Sequence, residues 1–122
     1  MAKATLLISG ANRGLGLEMA RQFTADGWEV HGTVRRPGPS VSELASTIAP
    51  QRIHLLEAAD PNSVAQLAAN LRRIPFDAVF ANAGMTGDTR KRPDEISFDD
   101  IAEVFAVNTF GALSLVRALK PN

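Results

Sequence analysis

The sequence predicts an α/β fold, with a doubly wound parallel sheet covered by helices on both faces. Two observations and one topological rule carry this. Four short apolar runs alternate with stretches of helical periodicity along 122 residues. Each run is followed within a few residues by glycine, proline, aspartate or asparagine, which punctuate regular structure. Strands separated by helices must be joined by crossovers, and these take one hand.

The elements follow in order. The first strand is expected at Thr5–Ser9, from the run Leu6-Leu7-Ile8. Its helix runs from about Asn12 to Ala25, with Met19, Ala20 and Phe23 expected to share a face with Leu15 and Gly16. Asp26-Gly27 stops it, because glycine suits the left-handed position past a helix end. The second strand is Glu29–Val34, followed by a rigid basic loop, Arg35-Arg36-Pro37-Gly38-Pro39. Ser40-x-x-Glu43 has the form of a capping box for a helix to Ala49, closed by Pro50.

The third strand is expected at Arg52–Leu56. Asp60-Pro61 then opens a helix: Asp60 caps it, and Pro61 sits in the first turn, where a missing N–H costs nothing. Val64, Leu67, Ala68 and Leu71 form its apolar face, and it ends before Pro75. The fourth strand is Ala78–Ala81, followed by Asn82-Ala83-Gly84 and a polar loop from Met85 to Glu95. Ser97-x-x-Asp100 starts the longest helix, which reaches about Leu119. Strand order 3-2-1-4, the first half of a Rossmann-type sheet, would place a ligand beyond the carboxyl ends of strands 1 and 4. The chain reads as a single domain.

The last helix is apolar nearly all round. Between Ile101 and Leu119 its only charges are Glu103 and Arg117. Such a helix is buried on more than one side, so one side faces the sheet and the other needs a partner. A homo-oligomer through the 98–119 helix, or a C-terminal half beyond this chain, would supply it.

Composition removes several functions. Thirteen basic and thirteen acidic residues cancel, so no long-range field favours nucleic acid or anionic lipid. With no cysteine, disulfides and thiolate metal sites are excluded. His31 and His54 fall on different strands without ligand spacing, so each reads as a strand residue and no metal is expected. No apolar run approaches the ~18–20 residues of a membrane span, and the N-terminal apolar stretch is too short for a signal peptide. A soluble cytoplasmic protein is the expectation.

The stretch from Thr5 to Gly16 carries the chemistry. A strand, a loop with Gly10, Gly14 and Gly16, and a helix follow one another directly. In that context backbone N–H groups can approach a pyrophosphate, and the helix N-terminus adds partial positive charge. The alternative is a tight βα turn that needs glycine and binds nothing.

With these motifs in view, the chain resembles the short-chain dehydrogenase/reductase family over about Thr5 to Leu119. Ser9-Gly10-Ala11-Asn12-Arg13-Gly14-Leu15-Gly16 matches the family's Thr-Gly-x-x-x-Gly-x-Gly cofactor motif, with serine for threonine. Ala81-Asn82-Ala83-Gly84 matches its Asn-Asn-Ala-Gly, with alanine for the first asparagine. Val107-Asn108-Thr109-Phe110-Gly111 matches its mid-helix asparagine segment, and a carbonyl-reductase-like branch looks nearest.

The resemblance implies a dinucleotide site formed by Gly10, Asn12, Arg13, Gly14, Leu15, Gly16, Arg35, Asn82, Ala83 and Gly84. Val34 stands where an NAD site would place a carboxylate. Arg35 follows it and can pair with a 2′-phosphate, aided by Arg13, so NADP(H) is favoured over NAD(H). The family's adenine-binding aspartate falls on Glu57 by register, whereas Asp60 is assigned to capping.

Of the family's catalytic residues only Asn108 carries over. Family members are about twice this length, and their catalytic serine and Tyr-x-x-x-Lys pair lie beyond the fifth strand. This chain contains no tyrosine. It is expected to carry the cofactor half of an NADP(H)-dependent carbonyl or alcohol oxidoreductase, and to lack turnover by itself. The alternative is a non-catalytic dinucleotide-binding or dimerisation module.

Overall fold

Leu6, Leu7 and Ile8 are all fully buried, as a strand covered on both faces must be. A computed structural model describes residues 3–122, with their side chains apart from that of Ser40. Its strands are β1 (Thr5–Ile8), β2 (Glu29–Val34), β3 (Ile53–Leu55) and β4 (Ala78–Phe80). They form one parallel sheet in the order β3-β2-β1-β4, as the sequence predicts. Leu7 lies opposite His31 on one side and Val79 on the other, and Thr33 lies opposite His54.

Alternation along the strands divides the core in two. Leu6, Ile8, Val30 and Val34 pack with Leu17 and Ala20 of α1 (Gly14–Ala25) and Leu44 of α2 (Ser42–Ala45). Leu7 packs on the opposite face with Val64, Leu67 and Leu71 of α3 (Pro61–Leu71) and with Leu115 and Leu119 near the chain end. Truncating Leu7 or Leu71 to alanine should remove about 2–5 kcal/mol.

Several boundaries differ from expectation for identifiable reasons. Helix α1 begins at Gly14 rather than Asn12, and Leu15 is 78% exposed. Counting back three and four positions from buried Ala20 gives Leu17 and Gly16, so Leu15 falls off the buried stripe. The second helix is split into a 3-10 turn at Pro39–Val41 and a single α-turn at Ser42–Ala45. Val41 is its N-cap without a side-chain bond, and the expected cap, the Ser40 side chain, lies outside the described residues. Ser46 Oγ and Thr47 Oγ1 both donate to the Glu43 carbonyl oxygen, at 2.8 and 3.0 Å. Such bonds compete with helix continuation. Strand β3 starts at Ile53 because Pro50–Arg52 forms a 3-10 turn.

Both later helix starts are as expected. Asp60 Oδ1 accepts from Asn62 N at 2.9 Å at the head of α3. Ser97 Oγ accepts from Asp100 N at 3.1 Å, and Asp100 Oδ2 accepts in return from Ser97 N at 3.3 Å. That reciprocal cap opens α4 (Phe98–Phe105), which runs through a π-helical segment at Ala106–Gly111 into α5 (Ala112–Leu119). The π segment was not expected.

The continuous helix Phe98–Leu119 is 22 residues long and meets the length and composition of a membrane span, which corrects the expectation that no segment approaches one. The helix is longer than any uninterrupted apolar run because it takes in Asp99, Asp100, Glu103, Asn108 and Arg117. Only Val107, Gly111, Leu115 and Leu119 are buried along it, while Phe98, Phe105, Phe110, Leu113 and Val116 are exposed.

His31 and His54 are strand residues as expected, but their neighbouring strands bring them together. Their rings stack at 5.3 Å, with His31 Nδ1 3.0 Å from His54 Nε2. His31 Nε2 lies 3.1 Å from Glu29 Oε1. A neutral pair then has a defined arrangement: His31 donates to Glu29 and accepts from His54. Burial holds both imidazoles below their ordinary pKa.

Candidate functional site

The carboxyl ends of β1 and β4 are tied by one hydroxyl. Ser9 Oγ, 2% exposed as a residue, accepts from Asn82 N and Ala83 N, each at 2.9 Å. This explains why a hydroxyl is needed at the motif's first position and why serine suffices. Gly10 follows with φ of 67°, the left-handed region, and a Cβ there would lie 2.9 Å from Ala83 Cα. Its N–H donates to Thr33 Oγ1 at 3.2 Å, and Ala11 N donates to the Thr33 carbonyl oxygen at 3.0 Å. The loop is thereby fixed to both neighbours of β1.

The glycines do different work. Gly14 has φ of 57°, and a Cβ there would meet nothing within 4 Å, so the loop faces open space. A Cβ on Gly16 would strike the Gly10 carbonyl oxygen and lie 2.8 Å from Asn82 Nδ2. Gly16 therefore serves close packing of helix on loop. Asn82 Nδ2 donates to that same Gly10 carbonyl at 3.2 Å. Arg13 holds the N-cap position of α1 without a side-chain cap bond, which leaves the first N–H groups of the helix without a capping side chain.

Gly10, Asn12, Arg13, Arg35, Ala83 and Gly84 line one cavity of about 130 Å³, with Thr33 and Glu57. Gly14, Leu15, Asn82 and Asn108 line the open hollow beside it, with Gly10, Arg13, Ala83 and Gly84 again on its wall. The predicted residues thus converge on one surface, apart from Gly16, which lies beneath it. Leu15, displaced from the core, is on that surface.

Asn108 reaches the same surface, held by both ends of its amide. Oδ1 accepts from Met85 N at 2.8 Å, and Nδ2 donates to the Met85 carbonyl oxygen at 2.7 Å. It lies in the π segment, where the irregular turn also seats Gly111 so close to Ala58 that a Cβ would be 3.0 Å from its carbonyl oxygen. Here Asn108 fastens the loop after β4 to the helix.

Two contacts escaped sequence reasoning. Thr33 binds the glycine loop, which strand periodicity alone does not reveal. Arg35 Nε donates to Glu57 Oε2 at 2.6 Å, joining the ends of β2 and β3. That bond raises the Arg35 pKa further above its already high ordinary value. The only signal was position: a carboxylate just past the third strand beside an arginine just past the second.

A model of the family described as short chain dehydrogenase matches residues 4–122. The chain belongs to the short-chain dehydrogenase family. It is 32% identical over 123 residues to a serine 3-dehydrogenase of Agrobacterium fabrum, covering 96% of this chain and 47% of that one. A short-chain dehydrogenase/reductase structure from Burkholderia multivorans with bound NADP is 36% identical, with TM-score 0.84, over 98% of this chain and 53% of that one. A Brucella ovis family member in complex with a partially ordered NAD shares the fold, with 24% identity and TM-score 0.78 over 98% of this chain and 57% of that one. The chain spans about half the length of these relatives.

A dinucleotide fits the residues present. The open space over Gly14, the uncapped start of α1 and the cavity between the ends of β1, β2 and β4 provide a place for a phosphate-linked ligand.

Proposed function

We propose that this chain is the NADP(H)-binding half of a carbonyl or alcohol oxidoreductase. The observation that carries the cofactor preference is the end of β2, where apolar Val34 is followed by Arg35 on the cavity wall. A carboxylate at that strand end would accept from ribose hydroxyls, whereas an arginine pairs with a 2′-phosphate. Gly10, Asn12, Gly14 and Leu15 would hold the pyrophosphate through backbone N–H groups, and Arg13 would add a second positive charge. Asn82, Ala83 and Gly84 would border the adenosine ribose.

When bound, the nicotinamide supplies or accepts the hydride. These residues bind and orient it. They contain no tyrosine to hold the proton for a carbonyl oxygen, so no turnover is expected from this chain alone. Titration with NADPH and NADH tests the reading: NADPH should bind at least tenfold more tightly, and Arg35→Asp should reverse the order. Equal affinities, or an unchanged order in the variant, would overturn it.

A second reading is an association module, favoured by the exposed apolar residues Phe98, Phe105, Phe110, Leu113 and Val116 on one helix. Light scattering should then show self-association that weakens in Phe105→Glu. A monomeric wild-type chain with a cooperative melt would count against it.

A further inference from the structure

Arg35 uses only part of its donor set. Its Nε–H is given to Glu57, and among the described residues neither Nη nitrogen makes a hydrogen bond. Nη1 and Nη2 form the end-on fork of the guanidinium, the edge that can bind two phosphate oxygens at once. Arg35 also stands between two spaces. On one side is the cavity it shares with Glu57, Gly10 and Asn12. On the other is a hollow lined by Arg13, Arg90 and Lys91 and by the carboxylates Asp88, Asp100 and Glu103, but not by Glu57. Within that hollow Arg90 is taken by Asp88 and Lys91 by Asp100, while Arg13 forms no ion pair among the described residues.

Glu57 is itself anchored. Its N–H donates to Ser63 Oγ at 2.8 Å, and its carbonyl oxygen accepts from Asp60 N at 3.0 Å, which fixes it to the head of α3. A carboxylate on a fixed backbone, bonded to Nε alone, restrains the guanidinium without occupying its fork.

We propose that Glu57 is a positioning residue for 2′-phosphate recognition: it holds Arg35 by Nε so that the Nη fork faces the phosphate beside Arg13. This rests on the assignment of Arg35 as the 2′-phosphate contact. An unrestrained arginine at the strand end would lose rotamer freedom on binding, and the restraint removes that cost beforehand. In Glu57→Gln the side-chain amide oxygen can accept the same bond, so recognition depends on the bond more than on the negative charge.

Dissociation constants for NADPH and NADH, measured by titration calorimetry on wild type, Glu57→Ala, Glu57→Gln, Arg35→Ala and the double variant Arg35→Ala/Glu57→Ala, test this. Glu57→Ala should weaken NADPH about tenfold and NADH less than twofold. Glu57→Gln should stay within about threefold of wild type for both. In the Arg35→Ala background the Glu57→Ala change should leave the NADPH/NADH ratio unaltered, because the two residues act as one unit. Equal weakening of both nucleotides by Glu57→Ala would make Glu57 an adenine contact or a structural residue, and tighter NADPH binding would make it a competitor; either result overturns the proposal. A wild type without NADPH preference, or a preference that survives Arg35→Ala, overturns the Arg35 assignment as well. A preference removed by Arg35→Ala but kept in Glu57→Ala refutes the positioning role alone.

Discussion

Gly14 and Gly16 stand two residues apart in the first turn of α1, and alanine at each should fail in a different way. At Gly14 the backbone is left-handed, with φ of 57°, and nothing lies within 4 Å of the position a methyl would take. The stability cost is then the left-handed strain of about 1–2 kcal/mol. At Gly16 the methyl would strike the Gly10 carbonyl and lie 2.8 Å from Asn82 Nδ2. Collision with rigid backbone costs about 3 kcal/mol. Disturbing the Asn82 to Gly10 hydrogen bond adds about 1 kcal/mol. The helical preference of alanine over glycine returns up to about 1 kcal/mol, leaving roughly 3. With about 4 °C per kcal/mol for a domain of this size, Gly14→Ala should melt about 5 °C below wild type and Gly16→Ala about 12 °C below. NADPH should raise the melting temperature of wild type but not of Gly14→Ala, whose methyl would occupy the space over the loop. Thermal melts by circular dichroism with and without NADPH read both effects. A Gly16→Ala protein melting with wild type, or a Gly14→Ala protein stabilised normally by NADPH, would refute this division of roles.

Three further outcomes follow from contacts described above. The imidazoles of His31 and His54 are held below their ordinary pKa in the folded state, chiefly by burial, with Glu29 and Arg52 the facing charges. The unfolded chain therefore binds more protons, and stability present above pH ~6.5 is lost as pH falls through the lowered values. Urea midpoints should drop between pH 7.5 and 5.5, and more gently in His54→Leu; parallel slopes would exclude the pair as the cause. Asn108→Ala removes both bonds to Met85, about 1–3 kcal/mol together. It should speed proteolytic cleavage within residues 85–95, and an unchanged cleavage rate would show that the clamp does not hold the loop. Asp60→Ala removes the cap on Asn62 N and should cost about 1 kcal/mol, or about 4 °C, with Pro61 preserving the helix start; an unaltered melt would show that Pro61 suffices.

The sheet order was legible because Leu6-Leu7-Ile8 and the other runs alternate with helices, and few topologies satisfy that alternation. Asp60-Pro61 and Ser97-x-x-Asp100 were legible because capping is local chemistry. The helix expected from the Ser40-x-x-Glu43 box to Ala49 stops at Ala45, because Ser46 and Thr47 can either continue a helix or bond back to Glu43, and local sequence does not decide between them. The cavity was legible through its glycines, whose need arises from close approach of backbone segments. The Arg35–Glu57 and His31–His54 pairs were not, since each joins residues on, or just past the ends of, neighbouring strands, separated by 22 and 23 positions in sequence. Register across a parallel sheet sets such pairs, and one strand's pattern contains no information about its neighbour's offset.

The wide turn at Ala106–Gly111 separates two helical stretches with different allegiances. A π turn carries an extra residue, so the stretch before it is rotated relative to an uninterrupted α-helix. Leu115 and Leu119 key the later stretch against α3, which sets the angular reference for everything upstream. Deleting a single residue within 106–111 would restore regular winding and swing the eight residues Phe98–Phe105 by about 100°. Asn108 would leave Met85, and a different side of α4 would look outward, so this turn acts as the angular offset that decides which side chains the helix displays.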